Sequence, residues 1–499
     1  MAEEDAIIRA VIDGSVGVFR IGAFLTRLGI WGGRKAHAFY RAHNPPSFSL
    51  PPAARFEHTH IVAGSGHGKT EFMKTLLLDD LSALSRGDGS LVVIDSQGDL
   101  IRSILTLGMM QELSDRLVLI DPNDIEYPPA LNLFDFGLNR LQRYSRIDRE
   151  KLVNGAIDLY EYVFGALLGA ELTQKQGVIF RYLARLMMVV LGATMQTLCE
   201  FMQDPETARG HIAKLDQVSR YFFETQFFSN KFDNTREQIL TRLWGVRSNT
   251  VLDQMFGSAR NKLDLFDCMN RGSLILINTA KDLLKQEGCE ILGRFFIALI
   301  CQAAQERAAL PENRRRPTFV YIDEAADYFD PRMENLLNQA RKYKVGLVLA
   351  HQNLDQFDQK LRASIMASTS IKLVGGLSAK DASVFARELR CEPEFLQAMR
   401  KYRGHTEFAC FVRNHTPEPI RLSIPLGSMN NLPRLSTAEY AAIIRQNRDR
   451  YCTGNPEPPK PSGPPGRPLW QLTRAEREAQ EAERAPATNP LGIGDPDIL

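Results

Sequence analysis

The sequence predicts an α/β protein with a mostly parallel twisted sheet that an all-helical insertion domain interrupts. Two observations support this fold class. From residue 59 onward, short runs rich in β-branched residues alternate with helical stretches, and between residues 139 and 268 the pattern is helical with hardly a strand signal. Alternating strands and helices favour a parallel sheet, because each parallel crossover needs a long connection, usually a helix.

Seven apolar runs have the length and composition of buried parallel strands. They cover residues 59–63, 91–94, 116–120, 273–277, 318–322, 345–350 and 370–374. Three longer stretches in the insertion predict helices, at residues 149–168, 172–191 and 236–253. We therefore expect one sheet built from two separated parts of the chain.

Proline-rich segments mark both ends of the predicted core. Two Pro-Pro pairs, at residues 45–46 and 51–52, indicate a linker, and seven prolines lie between residues 456 and 468. The segment after residue 435 buries little by its composition, so we expect a mobile tail. The predicted regions are an N-terminal helical segment and linker (1–54), the first part of the core (55–138), the helical insertion (139–268), the second part of the core (269–435) and the tail (436–499).

The composition is that of an ordinary globular protein. Of 499 residues, 44% are hydrophobic and 24% charged, with a formal net charge of +2, which excludes disordered and collagen-like classes and does not by itself indicate a polyanion partner. The seven cysteines include no Cys-x-x-Cys pair, which predicts a reducing, cytoplasmic compartment. No apolar run reaches the roughly 18 residues that a membrane-spanning helix needs.

The N-terminal residues 6–31 are mostly apolar, and their charges fall on one stripe of a helix. These charges are Arg9, Asp13, Arg20 and Arg27. Such a helix fits packing against this protein's own core or another subunit, or peripheral contact with a membrane such as the cytoplasmic face of the inner membrane.

A glycine-rich loop follows the first predicted strand and leads into a helical stretch. Its residues are Gly64, Ser65, Gly66, His67, Gly68, Lys69 and Thr70. In such a strand–loop–helix context, backbone N–H groups and the helix N-terminus bind phosphates. Lys69 is placed to reach the β- and γ-phosphates, and the Thr70 hydroxyl to hold Mg²⁺. The pattern predicts a P-loop, although Ala63 stands where the motif usually has its first glycine.

Two adjacent carboxylates follow the predicted strand 318–322. Asp323 is the candidate for the Mg²⁺ shell, and Glu324 for polarising the water that attacks the γ-phosphate. A second strand end places Asp95 and Asp99 near the same edge of the sheet. These two are equally compatible with turn formation and helix capping.

Residues 340–352 form a basic helix end followed by an apolar strand that ends in Gln352. Together with the Asp323-Glu324 pair and the segment 94–100, this resembles the HerA/FtsK class of RecA-like ring ATPases. Within that class it resembles the TraG/TraD-like coupling ATPases of conjugative type IV secretion. The resemblance covers about residues 55–430, including the helical insertion.

The resemblance implies a RecA-like P-loop NTPase core in a six-subunit ring that uses ATP and Mg²⁺ to pump DNA through a central channel. It places Gln352 at the family's γ-phosphate-sensing glutamine. It places Arg341 at the arginine that reaches the neighbouring subunit's site. A strand-end amide and a solvated cation are the alternative interpretations of these two residues. Relaxosome or secretion-channel proteins are the implied partners.

The leading functional hypothesis is thus an ATP-hydrolysing DNA translocase, acting on single- or double-stranded DNA. Lys281 and Lys285 are candidate channel-lining phosphate contacts, with solvated helix charges as the alternative. A second hypothesis is a motor that hydrolyses ATP in the same way and energises protein secretion without binding DNA. A third is a nucleotide-switched adaptor, against which Glu324 argues, since a switch has less need of a well-placed base.

Overall fold

The computed structural model describes residues 50–135, 137, 140, 144–168, 174–330, 337 and 339–454. The predicted N-terminal helix and the part of the predicted tail from residue 455 lie outside the described residues. Among the described residues, no helix is long and apolar enough to cross a membrane. All seven cysteines are described, and none forms a disulfide.

One sheet of nine strands organises the fold. In chain order, the strands are β1 (Thr59–Ala63), β2 (Ser90–Asp95), β3 (Leu117–Ile120), β4 (Leu274–Asn278), β5 (Thr318–Ile322), β6 (Val345–His351), β7 (Ile371–Gly375), β8 (His405–Val412) and β9 (Ile420–Pro425). Their spatial order is β3-β4-β2-β5-β6-β1-β7-β8-β9. The pairings among β1 to β7 are parallel, whereas β8 and β9 are antiparallel. The predicted mostly parallel sheet is therefore confirmed.

The described α-helices lie before β1, between the strands, in the insertion and after β9. They are α1 (Pro52–Arg55), α2 (Lys69–Ser85), α3 (Asp99–Leu105), α4 (Met110–Leu113), α5 (Arg146–Leu168), α6 (Gln174–Val189), α7 (Met195–Gln203), α8 (Pro205–Ile212), α9 (Gln217–Phe222), α10 (Asp233–Arg247), α11 (Thr250–Met255), α12 (Leu265–Arg271), α13 (Lys281–Glu306), α14 (Gln359–Ser368), α15 (Ala379–Leu389), α16 (Pro393–Gln397) and α17 (Thr437–Tyr451).

The insertion between β3 and β4 is helical, and its core is continuous with one face of the sheet. Val92 and Ile94 of β2 belong to the same buried cluster as Phe164 and Phe180 of the insertion. The alternate residues Leu91 and Val93 face a second cluster on the opposite side of the sheet, because successive side chains of a strand point to opposite faces. The sheet is thus buried on both faces, as expected for parallel strands.

The helix predicted at 236–253 is two helices, α10 and α11. The break follows from local chemistry: the Asn249 side chain accepts a hydrogen bond from the Leu252 N–H at 3.3 Å and so caps α11. Asparagine is among the best N-cap residues, because its side chain satisfies a backbone N–H that has no partner within the helix.

The helix α17 differs from the tail expected from residue 436 onward. Asn447 accepts from the Leu119 N–H at 2.8 Å and donates to the Leu119 carbonyl at 2.9 Å. Arg448 pairs with Asp124 at 2.7 Å. This helix therefore covers the open edge of β3, where unpaired backbone groups would otherwise be available to another chain. The packed part of the chain extends to Gly454.

Candidate active site

The carboxyl ends of the parallel strands converge on the phosphate loop. Residues 64–68 connect β1 to α2, which begins at Lys69. Gly68 has φ of 107°, in the left-handed region that favours glycine. A Cβ at Gly64 would lie 2.5 Å from the Gly376 carbonyl oxygen, so only glycine allows this close approach. The predicted strand–loop–helix arrangement is present, with the N-terminus of α2 directed into the loop.

Lys69 lies at the centre of the site. Its Nζ is 2.9 Å from Asp323 Oδ1 and 2.6 Å from Glu324 Oε1. The side chain is buried. Burial disfavours the charged ammonium, but Asp323 and Glu324 outweigh burial and raise the pKa of Lys69. Lys69 is therefore a cation held on two carboxylates.

Gln352 lies in the same cluster, directly after β6. Its Nε2 donates to Glu324 Oε1 at 3.0 Å, so Lys69 and Gln352 share this oxygen. Glu324 itself has φ of 49°, a left-handed conformation uncommon for a residue with a side chain. The structure thus brings together four of the predicted residues: Lys69, Asp323, Glu324 and Gln352.

Asp95 has the capping role that was the alternative interpretation. Its carboxylate accepts from the backbone N–H groups of Gln97, Leu100 and Ile101 at 2.9 to 3.2 Å, and it thereby orders the start of α3. Burial and the nearby charge of Asp323 raise its pKa. Asp99 is exposed and lies 3.5 Å from Arg102 on the same helix.

Arg341 lies at the opposite edge of the sheet. It belongs to a 3₁₀ turn, Ala340–Tyr343, which leads into the start of β6, where Val345 pairs with Thr318 at the start of β5. Because Asp323 follows the other end of β5, the five residues of that strand separate the two positions by about 16 Å. Arg341 is therefore not part of the Lys69 cluster of the same chain.

The two lysines predicted as channel contacts have different surroundings. Lys281 Nζ lies 2.8 Å from Asp327 Oδ2, in a half-buried ion pair next to the Glu324 loop. Lys285 is exposed, and its Nζ donates to the Asp282 carbonyl at 2.9 Å. Its backbone, with φ of 59° and ψ of −176°, interrupts α13. Lys281 thus supports the loop that follows Asp323 and Glu324.

A buried tyrosine network connects that loop to the insertion, and no sequence motif indicated it. The Tyr162 hydroxyl, on α5, donates to the Tyr328 carbonyl at 2.7 Å. The Tyr328 hydroxyl lies 2.7 Å from Thr279 Oγ1, just after β4. The segment four residues beyond Glu324 is therefore held between the insertion and the sheet.

The start of β8 also contacts the phosphate loop, and the sequence analysis missed this strand. Thr406 Oγ1 donates to the His67 carbonyl at 2.5 Å, and His67 Nε2 lies 2.9 Å from the Glu407 carbonyl oxygen. Burial lowers the pKa of His67, so its imidazole is a neutral part of the packing. The only available signal was the composition of residues 405–412, which fits a strand.

The residues at this site fit ATP and Mg²⁺. The loop supplies backbone N–H groups, the N-terminus of α2 and the Lys69 ammonium for phosphates. Thr70 and Asp323 offer the oxygen ligands that Mg²⁺ prefers. In the described part of the chain, no cluster of three or more His, Cys, Asp or Glu side chains forms an all-protein metal cage.

Comparison with known proteins identifies the fold. No protein-family model and no curated protein matches the sequence. The chain is similar to the plasmid coupling protein TrwB in complex with a non-hydrolysable ATP analogue, at 16% identity and a TM-score of 0.55, over 87% of this chain and 94% of that chain. Its similarity to TrwB bound to a non-hydrolysable GTP analogue has a TM-score of 0.53 at the same identity and coverage.

A third TrwB structure, in complex with ADP and Mg²⁺, is similar at 16% identity over 85% of this chain and 92% of that chain, with a TM-score of 0.52. These values establish the fold alone. The chain therefore has the α/β fold of TrwB, with a mostly parallel sheet and helical segments, and the predicted fold is confirmed.

Proposed function

We propose that this protein is an ATP-hydrolysing ring motor that translocates DNA, and that it acts in conjugative DNA transfer. The observation that carries the proposal is the convergence of Lys69, Asp323, Glu324 and Gln352 at the ends of β1, β5 and β6. Hydrolysis of a nucleoside triphosphate requires a phosphate-binding lysine, a carboxylate for the metal shell, a base and a polar sensor. Here these groups meet at one edge of the sheet.

In this proposal, the loop 64–68 and Lys69 bind the phosphates, and Glu324 accepts a proton from the attacking water. Mg²⁺ at Thr70 and Asp323 would neutralise charge that develops on the phosphates. Lys69 is shared between the two carboxylates and the phosphates. Gln352, which donates to Glu324 Oε1 at 3.0 Å, is assigned the γ-phosphate-sensing role that the resemblance implies.

Hydrolysis in a motor must be completed across a subunit interface, so that each site responds to its neighbour. We assign this role to Arg341, whose distance from its own Lys69 cluster supports action in the next subunit of a homo-hexamer. The proposed partners are DNA and the relaxosome or secretion-channel proteins of the transfer apparatus. The seven free cysteines support a cytoplasmic location.

The test is the ATPase rate with no DNA, with single-stranded DNA and with duplex DNA, measured beside Glu324→Gln as the inactive reference. Stimulation by either form of DNA supports the translocase. A rate that DNA leaves unchanged favours a motor that energises protein secretion. Tight nucleotide binding with negligible turnover under all three conditions favours a nucleotide-switched adaptor.

A further inference from the structure

A tight turn precedes β8 and carries two stacked aromatic rings. An isolated antiparallel bridge joins Lys401 to Thr406, and the Tyr402 N–H donates to the His405 carbonyl at 2.8 Å. The Tyr402 and His405 rings stack with centroids 4.6 Å apart and planes at 19°. The short turn therefore orients the Tyr402 ring, and the His405 ring packs against one of its faces.

This turn is attached directly to the phosphate loop. Lys401 Nζ donates to the Gly66 carbonyl at 2.7 Å. Thr406, at the other end of the turn, donates a hydrogen bond to the His67 carbonyl. A Cβ at Gly68 would lie 2.9 Å from Thr406 Cγ2, so the Gly68 backbone is in close contact with the Thr406 side chain. Both ends of the turn thus contact the residues that are proposed to bind phosphates.

Tyr402 is 47% exposed, although its ring stacks on His405. We propose that Tyr402, supported by His405, stacks against the purine base of the bound nucleotide. The inference rests on the proposed function, in that it assumes that the Lys69 site binds a nucleoside triphosphate. With the phosphates in the loop 64–70, the nucleoside must lie beside that loop, and this turn is a direct neighbour with an accessible aromatic face.

The proposal also predicts the specificity of the site. Stacking depends on the π-face, which every base has, and aromatic stacking is therefore tolerant of base identity. Adenine and guanine nucleotides should depend on Tyr402 to the same extent. Lys401 has a positioning role, because it holds the turn on Gly66.

The experiment is equilibrium titration of the full chain, in the presence of Mg²⁺, with ADP, GDP and inorganic pyrophosphate as the probe that lacks a nucleoside. Base–aromatic stacking is worth about 5- to 150-fold in affinity. Tyr402→Ala should weaken ADP and GDP binding equally, within this range, and leave pyrophosphate binding unchanged. Tyr402→Phe and Tyr402→Trp, which keep a stacking ring, should bind ADP within about twofold of the native chain.

Tyr221→Ala is the matched control, because Tyr221 is 63% exposed and lies in the insertion. It should leave all three affinities unchanged. Lys69→Ala, as the positive control, should weaken all three probes.

Three results would overturn the base-stacking role while leaving the proposed function intact. The first is unchanged ADP binding by Tyr402→Ala when Lys69→Ala weakens it. The second is an equal loss of ADP and pyrophosphate binding, which would mean that Tyr402 only shapes the phosphate loop. The third is a loss confined to DNA binding, which would make the turn a nucleic-acid contact. If the native chain binds neither ADP nor pyrophosphate, the proposed function itself fails.

Discussion

Arg341 Nη1 lies 2.6 Å from Glu57 Oε1, at the edge of the sheet opposite to Lys69 and Glu324. Ser370 donates to the other carboxylate oxygen of Glu57 at 2.6 Å. Glu57 comes two residues before β1, the strand that leads into the phosphate loop. The arginine proposed to act in a neighbouring site is therefore paired with the beginning of its own subunit's phosphate-loop strand.

The first prediction concerns Glu57→Gln, which removes the charge opposite Arg341 and keeps the shape of the side chain. We expect kcat at or above the native value, because the Arg341 side chain no longer has to leave an ion pair before it enters the neighbouring subunit's site. The free energy of unfolding should change by no more than about 1 kcal/mol, because exposed ion pairs contribute little and the Arg341 side chain is 63% exposed. A fall in kcat as large as that of Arg341→Ala would mean that Glu57 positions the arginine for catalysis.

The second prediction concerns Glu324→Gln. The amide preserves the shape of the residue and removes the base, so nucleotide binding should persist while turnover falls about 10²- to 10⁴-fold. Steady-state ATPase assays and equilibrium binding measure the two quantities separately. Glu312→Gln, an exposed carboxylate before the start of β5, is the control and should behave as the native chain. Normal turnover by Glu324→Gln would remove this residue from the mechanism.

Lys69→Ala should act on binding itself, because the ammonium contacts the phosphates in the ground state as well as in the transition state. The expected result is a clear loss of affinity for ATP and ADP in an equilibrium titration. The exposed Lys231 provides the matched control as Lys231→Ala. Native affinity in Lys69→Ala, together with reduced turnover, would show that the lysine contributes to the transition state alone.

The local parts of the fold were predictable, because they depend on short sequence patterns. Strands β1 and β5 begin and end where the sequence predicted, and the helical stretch predicted after the Gly-Lys-Thr motif is α2. The placement of Gln352 near Asp323 was implied by the resemblance, and it agrees with a general property of parallel sheets, whose carboxyl ends share one edge.

The remaining features depend on contacts between residues far apart in the chain. The pairing of Glu57 with Arg341 joins the start of β1 to the segment before β6, and no spacing in the sequence indicates it. The covering of β3 by Asn447 likewise requires a helix more than 300 residues later. The strand β8 was missed because residues 405–412 had no neighbouring motif to mark them as part of the sheet.

A fourth prediction follows from Lys372, which is buried in β7 and donates to the carbonyls of Met366 and Thr369 at 3.1 and 2.8 Å. Burial and the charge of Arg413 lower its pKa from 10.5 to about 8. Above pH 8 the folded chain releases this proton while the unfolded chain retains it, so stability rises with pH up to the unfolded pKa.

Chemical denaturation should show this effect against Lys372→Met, which fills the same space without the titrating group. The free energy of unfolding of the native chain should increase relative to the variant by about 2 kcal/mol between pH 7.5 and pH 10. Parallel pH profiles for the two proteins would contradict a lowered pKa at Lys372.

The most direct test of the ring mechanism is complementation between two inactive subunits. Arg341→Ala lacks the arginine but keeps Glu324, whereas Glu324→Gln lacks the base but keeps Arg341. In a mixed ring, some interfaces combine an intact base with an intact arginine, and an arginine supplied across an interface is worth about 10³- to 10⁵-fold in phosphoryl transfer.

The measurement is the ATPase rate of mixed rings, purified through tags on both subunits, compared with each variant alone. The account predicts that the mixed rings regain part of the native rate while both parents stay inactive. Mixed rings as inactive as their parents would contradict it, because Arg341 would then act in its own subunit or have a structural role only.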